Sequence, residues 1–146
     1  MVGFAIGGLK MLEPANERPQ YEAMAEQINR EARPGDVVID ETAVISPGPL
    51  SPLDPFLRTR GPVFRSEQPQ QRVRPFSVFD RKVSPDEAAR RALAAARGRR
   101  IFLATDHSRA GRRRPLGRYR LVADRRYTGL IDLELQVYAL PTWSRG

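Results

Sequence analysis

Residues 84–106 read SPDEAARRALAAARGRRIFLATD, which predicts a helix followed at once by a buried strand. Ser84 and Glu87 have the spacing of a capping box, in which each side chain bonds the backbone amide of the other residue. Proline suits the first helical position, and Gly98 supplies the left-handed residue that ends the helix. The apolar run over 101–104 then predicts a strand covered on both faces. A helix leading into such a strand indicates the α/β class.

The same order of helix and strand occurs earlier in the chain. Apolar residues three and four positions apart predict an amphipathic helix over 19–32. These residues are Tyr21, Met24, Ala25, Ile28 and Ala32. Pro34-Gly35-Asp36 predicts the turn that ends this helix. The β-branched run that follows predicts a buried strand over 37–40.

The proline-rich stretch over 42–75 predicts two shorter elements. Ser51 is a suitable N-cap, Pro52 suits the first helical position and Gly61 suits the end, so a short helix is expected between them. Apolar residues directly after Gly61 predict a short strand over 62–65.

The last part of the chain predicts an antiparallel hairpin. Residues 131–140 alternate between apolar and polar side chains, as in a strand with one buried face and one exposed face. A turn near 127–129 would pair this strand with 119–122. The parallel strands are expected at 37–40, 62–65 and 101–105. Right-handed crossovers would join them into a short parallel sheet that the hairpin extends, giving a three-layer, Rossmann-like α/β sandwich in one domain over 13–146.

Composition excludes several classes of function. The chain has 146 residues and no cysteine, which excludes a disulfide scaffold, a thiolate metal site and a cysteine nucleophile. Its 25 Lys plus Arg exceed its 17 Asp plus Glu, for a formal net charge of +8. Residues 1–80 contain 9 basic and 11 acidic side chains, whereas residues 81–146 contain 16 and 6. The positive charge therefore belongs to the second half of the chain.

The first twelve residues, MVGFAIGGLKML, are almost all apolar. A bilayer span needs about 20 such residues, so this stretch is too short to cross a membrane alone. It also lacks the basic start and the cleavage site of a signal peptide. Two interpretations remain, a buried first strand or arm and the end of a longer membrane helix, and composition does not choose between them.

Polar residues follow two of the predicted parallel strands. Ligands of open α/β sheets bind beyond the carboxyl ends of such strands. The residues at these positions are Asp40 and Glu41 after the first strand, and Asp106, His107, Ser108 and Arg109 after the third. They are candidates for binding a sugar, a phosphate or a divalent cation. The alternative is that they only end the strands and cap the helices that follow.

The sequence contains few motifs that predict catalysis or cofactor binding. His107 is the only histidine, which excludes a multi-histidine metal centre, and we expect no metal site. A catalytic triad could be formed by Asp40 or Asp106 with His107 and Ser108. However, residues adjacent in sequence seldom face each other as a triad requires, and no nucleophile-elbow glycines surround the serine. No glycine-rich phosphate loop follows the first strand, so we expect no nucleotide cofactor.

An arginine-rich segment over 109–120 is the candidate site for a polyanion. Its members are Arg112, Arg113, Arg114, Arg118 and Arg120. Clustered arginines are typical of nucleic-acid surfaces, and phosphates of lipid headgroups would satisfy the same side chains. A solvated loop is the alternative without a ligand.

The order of these segments resembles the soluble C-terminal domain of multi-spanning glycosyltransferases that use polyprenyl-phosphate sugars, the relatives of protein O-mannosyltransferases and lipid A aminoarabinose transferases. The matching parts, in chain order, are MVGFAIGGLKML, QYEAMAEQINREA, Arg33-Pro34-Gly35-Asp36-Val37-Val38-Ile39, Arg99-Arg100-Ile101-Phe102-Leu103-Ala104, Tyr127-Thr128-Gly129-Leu130 and Val137-Tyr138. In that family they are the end of the last membrane helix, an amphipathic helix, a turn and strand, a second strand, a turn with aromatic and glycine residues, and a last strand that ends in a Val-Tyr pair.

This resemblance implies an accessory domain on the extracytoplasmic, periplasmic side of a membrane enzyme. The catalytic acid of the family lies in an early loop of a much longer chain, so no catalytic residue carries over to this sequence. The segment over 1–12 becomes the end of a membrane helix. The domain would cover the membrane active site or help to hold the acceptor or the lipid-linked sugar donor.

Two other functions stay open from the sequence. A small cytoplasmic α/β module could bind nucleic acid or another polyanion through residues 109–126. A stand-alone enzyme could act on a sugar or a phosphate through Asp40, Asp106 and His107. The oligomeric state, the sugar and the acceptor are not encoded in any motif.

Overall fold

The computed structural model describes residues 20–42, 51–59, 61–66, 83–106 and 115–141. These residues contain two helices and five strands. The helices are α1, Tyr21–Glu31, and α2, Pro85–Ala96. The strands are β1, Val37–Asp40; β2, Val63–Arg65; β3, Ile101–Asp106; β4, Arg120–Tyr127; and β5, Leu133–Ala139. The chain is thus an α/β protein, as its helix and strand patterns predict.

The five strands form one mixed sheet in the order β2-β1-β3-β5-β4. Strand β1 pairs in parallel with both β2 and β3, and β5 pairs antiparallel with both β3 and β4. The parallel set and the C-terminal antiparallel hairpin are confirmed. The sheet is parallel on one side and antiparallel on the other because β4 and β5 form a hairpin, and β5 joins it to β3.

Helix α2 starts as its sequence predicts, although its capping box is only half formed. The Ser84 hydroxyl accepts a hydrogen bond from the Glu87 amide at 3.2 Å, and proline occupies the first turn. In a complete capping box the Glu87 carboxylate would accept from the Ser84 amide. Here it pairs instead with Arg90 and with Arg91, whose Nε lies 2.6 Å from Glu87 Oε1. Gly98 is left-handed as expected, with a φ of 88°, and the C-cap Arg97 before it is left-handed too, with a φ of 45°.

The buried side chains of the sheet divide into two clusters by their alternation along the strands. One cluster joins Val37, Ile39, Ile101 and Leu103 to the alanines of α2, and these are Ala88, Ala89, Ala92 and Ala96. The other joins Val38, Phe102 and Ala104 to Met24, Ala25 and Ile28 of α1. Small alanine side chains let α2 approach the sheet closely, and the apolar spacing of α1 explains why its 24, 25 and 28 positions are the buried ones.

Strand β5 corrects one expectation. The alternating pattern over 131–140 predicts a half-buried strand, yet all seven residues of β5 are buried. The reason is that both faces of the sheet are covered at β5. One set of its alternating side chains joins the cluster with α1, and Tyr138 of the other set joins the cluster with α2. Glu134 and Gln136 are each 1% exposed. Their polar groups are satisfied along the strand, since the Tyr138 hydroxyl donates to Gln136 Oε1 at 2.7 Å and Gln136 Nε2 donates to Glu134 Oε1 at 3.2 Å.

The predicted short helix from Ser51 to Gly61 is wrong for its described residues, which form turns. The Leu57 amide bonds to the Leu53 carbonyl at 2.9 Å, and this single helical turn does not continue. Gly61 has a different role from the expected helix stop. A Cβ atom at this position would lie 1.7 Å from the carbonyl oxygen of Asp36, so glycine is needed where the chain enters β2.

Candidate functional site

The two ends of the parallel strands carry different polar groups, and at the amino end an aspartate and an arginine form a buried ion pair. Asp36 precedes β1 and Arg100 precedes β3, and both are nearly fully buried. Arg100 donates from Nη2 and Nε to Asp36 Oδ2, at 2.7 and 3.1 Å, and from its backbone amide to Oδ1 at 3.0 Å. The guanidinium also lies over the Phe102 ring at 5.1 Å. We call this pair the amino-end joint.

The carboxyl end of the parallel strands brings together the predicted residues Asp40 and Asp106. Asp40 ends β1 opposite Ala104 of β3, and Asp106 lies two residues beyond Ala104. Since side chains alternate along a strand, both carboxylates are on one face of the sheet. Glu41 is buried too, but its amide continues the ladder to Ala104 at 2.8 Å, so alternation turns its side chain to the other face.

Asp40 is fully buried and only half bonded. Its Oδ1 accepts hydrogen bonds from the Thr42 hydroxyl at 2.7 Å and from the Thr42 amide at 3.0 Å. Its Oδ2 has no hydrogen-bond partner among the residues that the structure describes. A buried polar atom without a partner is costly, so such an atom calls for an explanation.

Arg65 is the register partner of Asp40 and is also incompletely bonded. It lies opposite Asp40 on β2, and therefore on the same face of the sheet. Its Nη2 pairs with Asp54, while its buried Nε has no hydrogen-bond partner within the described ranges. An acceptor and a donor thus lack partners on two residues that face each other across neighbouring strands.

Burial dominates the electrostatics of Asp40. It raises the pKa of this carboxyl above the usual 3.8, against the opposing effects of the nearby Ser51 hydroxyl, of Thr42 and of the Arg65 charge. Ser51 is held in place because its Oγ accepts from the Leu53 amide at 3.2 Å. The carboxyl therefore has a stronger tendency to keep its proton than an exposed aspartate.

Tyr21 completes the group. Burial raises the pKa of its phenol, and the charges of Asp106 and Asp40 raise this pKa further. Its ring packs against the buried cluster of Val38 and Ala104, on the face of the sheet that carries both carboxylates. Tyr21 is the first residue of α1, so the chain enters the helix at this end of the sheet. We define the strand-end cluster as Asp40, Arg65, Asp106, Tyr21, Thr42 and Ser51.

The strand-end cluster offers hydrogen bonds rather than a metal site. Among the described residues, no group of three or more His, Asp or Glu side chains could hold a metal ion. Two carboxylates on one face also repel a phosphate. Carboxylate, guanidinium, hydroxyl and phenol groups together suit a neutral ligand that both donates and accepts hydrogen bonds.

Several predicted site residues lie outside the described residues: His107, Ser108, Arg109, Arg112, Arg113 and Arg114. The apolar segment over 1–12, expected as a membrane-helix end or an arm, lies outside them as well. Arg118 and Arg120 are described, and both are exposed. They lie at the amino end of the parallel strands, since Arg120 pairs with Ala139 and β5 ends beside the start of β3.

Sequence reasoning missed most of the cluster. Arg65, Tyr21, Thr42 and Ser51 carry no motif that marks them as partners of Asp40. Only the Thr42 contact is local, because an aspartate followed two residues later by threonine often forms a side-chain turn. That pattern was the one signal that could have pointed to it.

Comparison with known proteins adds no relative. No family model, no curated protein and no solved structure matches this chain. Neither helix in the described part of the chain has the length and apolar character that a bilayer span requires.

Proposed function

We propose that this chain is an extracytoplasmic accessory domain of an integral-membrane glycosyltransferase that uses a lipid-linked sugar donor, and that it is non-catalytic alone. The observation that carries the proposal is the amino-end joint. It bonds Asp36 of the Pro-Gly-Asp turn to Arg100 of the second strand motif, 64 residues away. Two of the separate segments that carry the resemblance thus act as one structural unit, which is what a shared domain would require.

The position of the strand-end cluster supports the same proposal. Helix α1 begins at Tyr21, which packs on the face of the sheet where Asp40 and Asp106 lie. A membrane segment before Tyr21 would therefore place the cluster on the membrane side, where a sugar donor or an acceptor would be handled. The three-layer, Rossmann-like arrangement belongs to this proposal, and the division of the core between α1 and α2 supports it.

The gene tests the proposal directly. We expect the reading frame upstream of Met1 to encode many hydrophobic spans, with an acidic residue in the first extracytoplasmic loop. A ribosome-binding site immediately before Met1 would refute the proposal. In the full-length enzyme, deletion of this domain should lower transfer from the lipid-linked sugar while the membrane part remains folded in detergent.

A second function, binding of nucleic acid or another polyanion by a cytoplasmic protein, is favoured by one observation. Exposed arginines gather at the amino end of the parallel strands, and these are Arg33, Arg97, Arg99, Arg118 and Arg120. The acidic side chains nearest to them are paired, Asp36 with Arg100 and Glu31 with Arg125. This end of the sheet therefore presents several exposed arginine side chains.

A gel shift with duplex DNA and with RNA over a range of salt tests this second function. Binding that weakens steeply with salt and is lost when Arg112, Arg113 and Arg114 are changed to alanine would favour it. The same loss is expected for Arg118→Ala combined with Arg120→Ala. Arg90→Ala combined with Arg91→Ala is the matched control on α2, and it should leave the shift unchanged.

A further inference from the structure

The strand-end cluster contains a donor and an acceptor that lack partners within the described residues, at positions that face each other. Asp40 Oδ2 and Arg65 Nε belong to residues paired in register on β1 and β2. The amino-end joint contains the same two residue types joined by three hydrogen bonds, so an aspartate and an arginine in this sheet can bond directly. In the cluster, the arginine turns instead to Asp54.

The local structure holds this open arrangement in place. Thr42 fixes Oδ1 of Asp40 by two hydrogen bonds, at 2.7 and 3.0 Å, so the carboxylate is not free to rotate toward Arg65. Asp54 fixes the end of the Arg65 side chain, and the Asp54 carboxylate is itself held by the Ser51 amide at 2.7 Å. Asp40 Oδ2 and Arg65 Nε are therefore held in position by the hydrogen bonds that the other polar atoms of the same side chains make.

The chemistry of the two atoms selects the ligand. A hydroxyl group donates one hydrogen bond and accepts others, so one hydroxyl, or two adjacent ones, can bond both the carboxylate and the guanidinium. A phosphate offers only acceptors and would meet the charges of Asp40 and Asp106. A metal ion would need further carboxylates, and none are grouped for it among the described residues. Tyr21 packs against the same face of the sheet and adds an aromatic ring of the kind on which a sugar ring can stack.

We propose that the strand-end cluster binds a sugar through hydroxyl groups that donate to Asp40 Oδ2 and accept from Arg65 Nε. The proposal deepens the proposed function and rests on it for the choice of a sugar over other polyols. Arg65 and Tyr21, which the sequence did not mark, become binding residues. Asp106 contributes a second acceptor on the same face of the sheet.

Titration of the 146-residue chain with two probe glycosides, methyl mannoside and methyl arabinoside, tests the proposal by amide NMR. We expect saturable shifts at the Thr42, Leu53 and Asp54 amides, which report on Asp40 and on the turn that holds Arg65. Inorganic phosphate and Mg²⁺ are expected to leave these amides unmoved. If neither glycoside moves them, or if phosphate or Mg²⁺ does so instead, the proposal is wrong.

Two conservative variants test the two atoms separately. Asp40→Asn turns the free acceptor into a donor, and Arg65→Lys keeps the charge near Asp54 but removes Nε. Each should weaken glycoside binding roughly tenfold or more, since a hydrogen bond to a charged group is lost. Arg58→Lys is the matched control, because Arg58 lies in the same turn segment, is exposed and belongs to another surface.

Folding and function are separated in the same experiment. The three variants should keep the dispersed spectrum of the folded chain, so loss of binding cannot come from unfolding. If Asp40→Asn and Arg65→Lys bind both glycosides like the wild type, the proposal is overturned, whereas Arg58→Lys is expected to bind like the wild type. Glycoside binding without membrane spans upstream of Met1 would support the sugar site and refute the proposed glycosyltransferase domain. Membrane spans upstream without glycoside binding would support the glycosyltransferase domain and refute the sugar site.

Discussion

The amino and carboxyl ends of the parallel strands each hold an aspartate and an arginine, and the two pairs differ in one respect. At the amino end, Arg100 meets Asp36 with three hydrogen bonds between 2.7 and 3.1 Å. At the carboxyl end, Asp40 and Arg65 stand opposite each other in register, and each leaves a buried polar atom without a partner in the described structure. A completed pair stabilises the fold, whereas an incomplete pair leaves buried polar atoms unbonded and lowers stability.

Breaking the completed pair should have the largest effect. Asp36→Ala leaves the Arg100 guanidinium buried without its counter-charge, and we expect a loss of about 3–5 kcal/mol in the free energy of unfolding. Urea denaturation followed by circular dichroism measures it. Asp36→Ala combined with Arg100→Met should recover part of the loss, since no buried charge remains. A loss below about 1 kcal/mol in the single variant would contradict the role of the joint.

The backbone beside the joint should be the next most sensitive. Gly61→Ala places a Cβ atom 1.7 Å from the Asp36 carbonyl oxygen, so β2 or the turn must move. We expect a loss of about 2–3 kcal/mol, at the upper end for an overpacked site. Gly117→Ala is the comparison, because nothing lies within 4 Å of its added Cβ and only its φ of +57° is strained, which costs about 1 kcal/mol. Equal losses in the two variants would show that the close approach is not what matters.

The incomplete pair should respond in the opposite direction. Because the folded-state pKa of Asp40 is raised, its contribution to stability is fully present below 3.8 and is lost as the pH rises through the folded-state pKa. Asp40→Asn has no such loss, so at neutral pH we expect it to be more stable than the wild type by about 1 kcal/mol. The difference should shrink as the pH falls toward 3.8. Thermal unfolding across this pH range checks it, and a variant less stable than the wild type at pH 7 would contradict the desolvation of Asp40.

The sequence predicts the elements of this fold better than it predicts its polar pairs. Strands β1 and β3 are runs of apolar side chains, and the pattern of each is local, so both could be placed from the sequence. The Asp36–Arg100 pair joins residues 64 positions apart, and the Asp40–Arg65 pair depends on the register of two strands. Neither relation leaves a pattern in neighbouring residues.

Strand β5 shows why burial is harder to predict than periodicity. Its alternation of apolar and polar side chains is real, but alternation does not reveal that the second face of the sheet is covered as well. Gln136 tolerates burial because Tyr138 donates to it and it donates to Glu134. For the candidate site, the sequence located Asp40 and Asp106 by the rule of strand ends, and it missed the side chains that come from other elements.

A third pair extends the comparison to the surface and should have the smallest effect. Arg125 of β4 contacts Glu31 of α1 at 2.9 Å, with the arginine side chain 51% exposed. Glu31→Gln should cost about 0.5 kcal/mol or less, because water screens an exposed ion pair. A double-mutant cycle with Arg125→Gln measures the coupling, which should vanish in about 1 M salt. The same cycle on Asp36 and Arg100 should keep most of its coupling in that salt, since the buried pair is shielded from ions. If the coupling at the surface pair resisted salt, solvent exposure would not explain why the two pairs differ in strength. The expected difference follows from exposure, because water and ions weaken the Glu31–Arg125 pair and do not reach the Asp36–Arg100 pair.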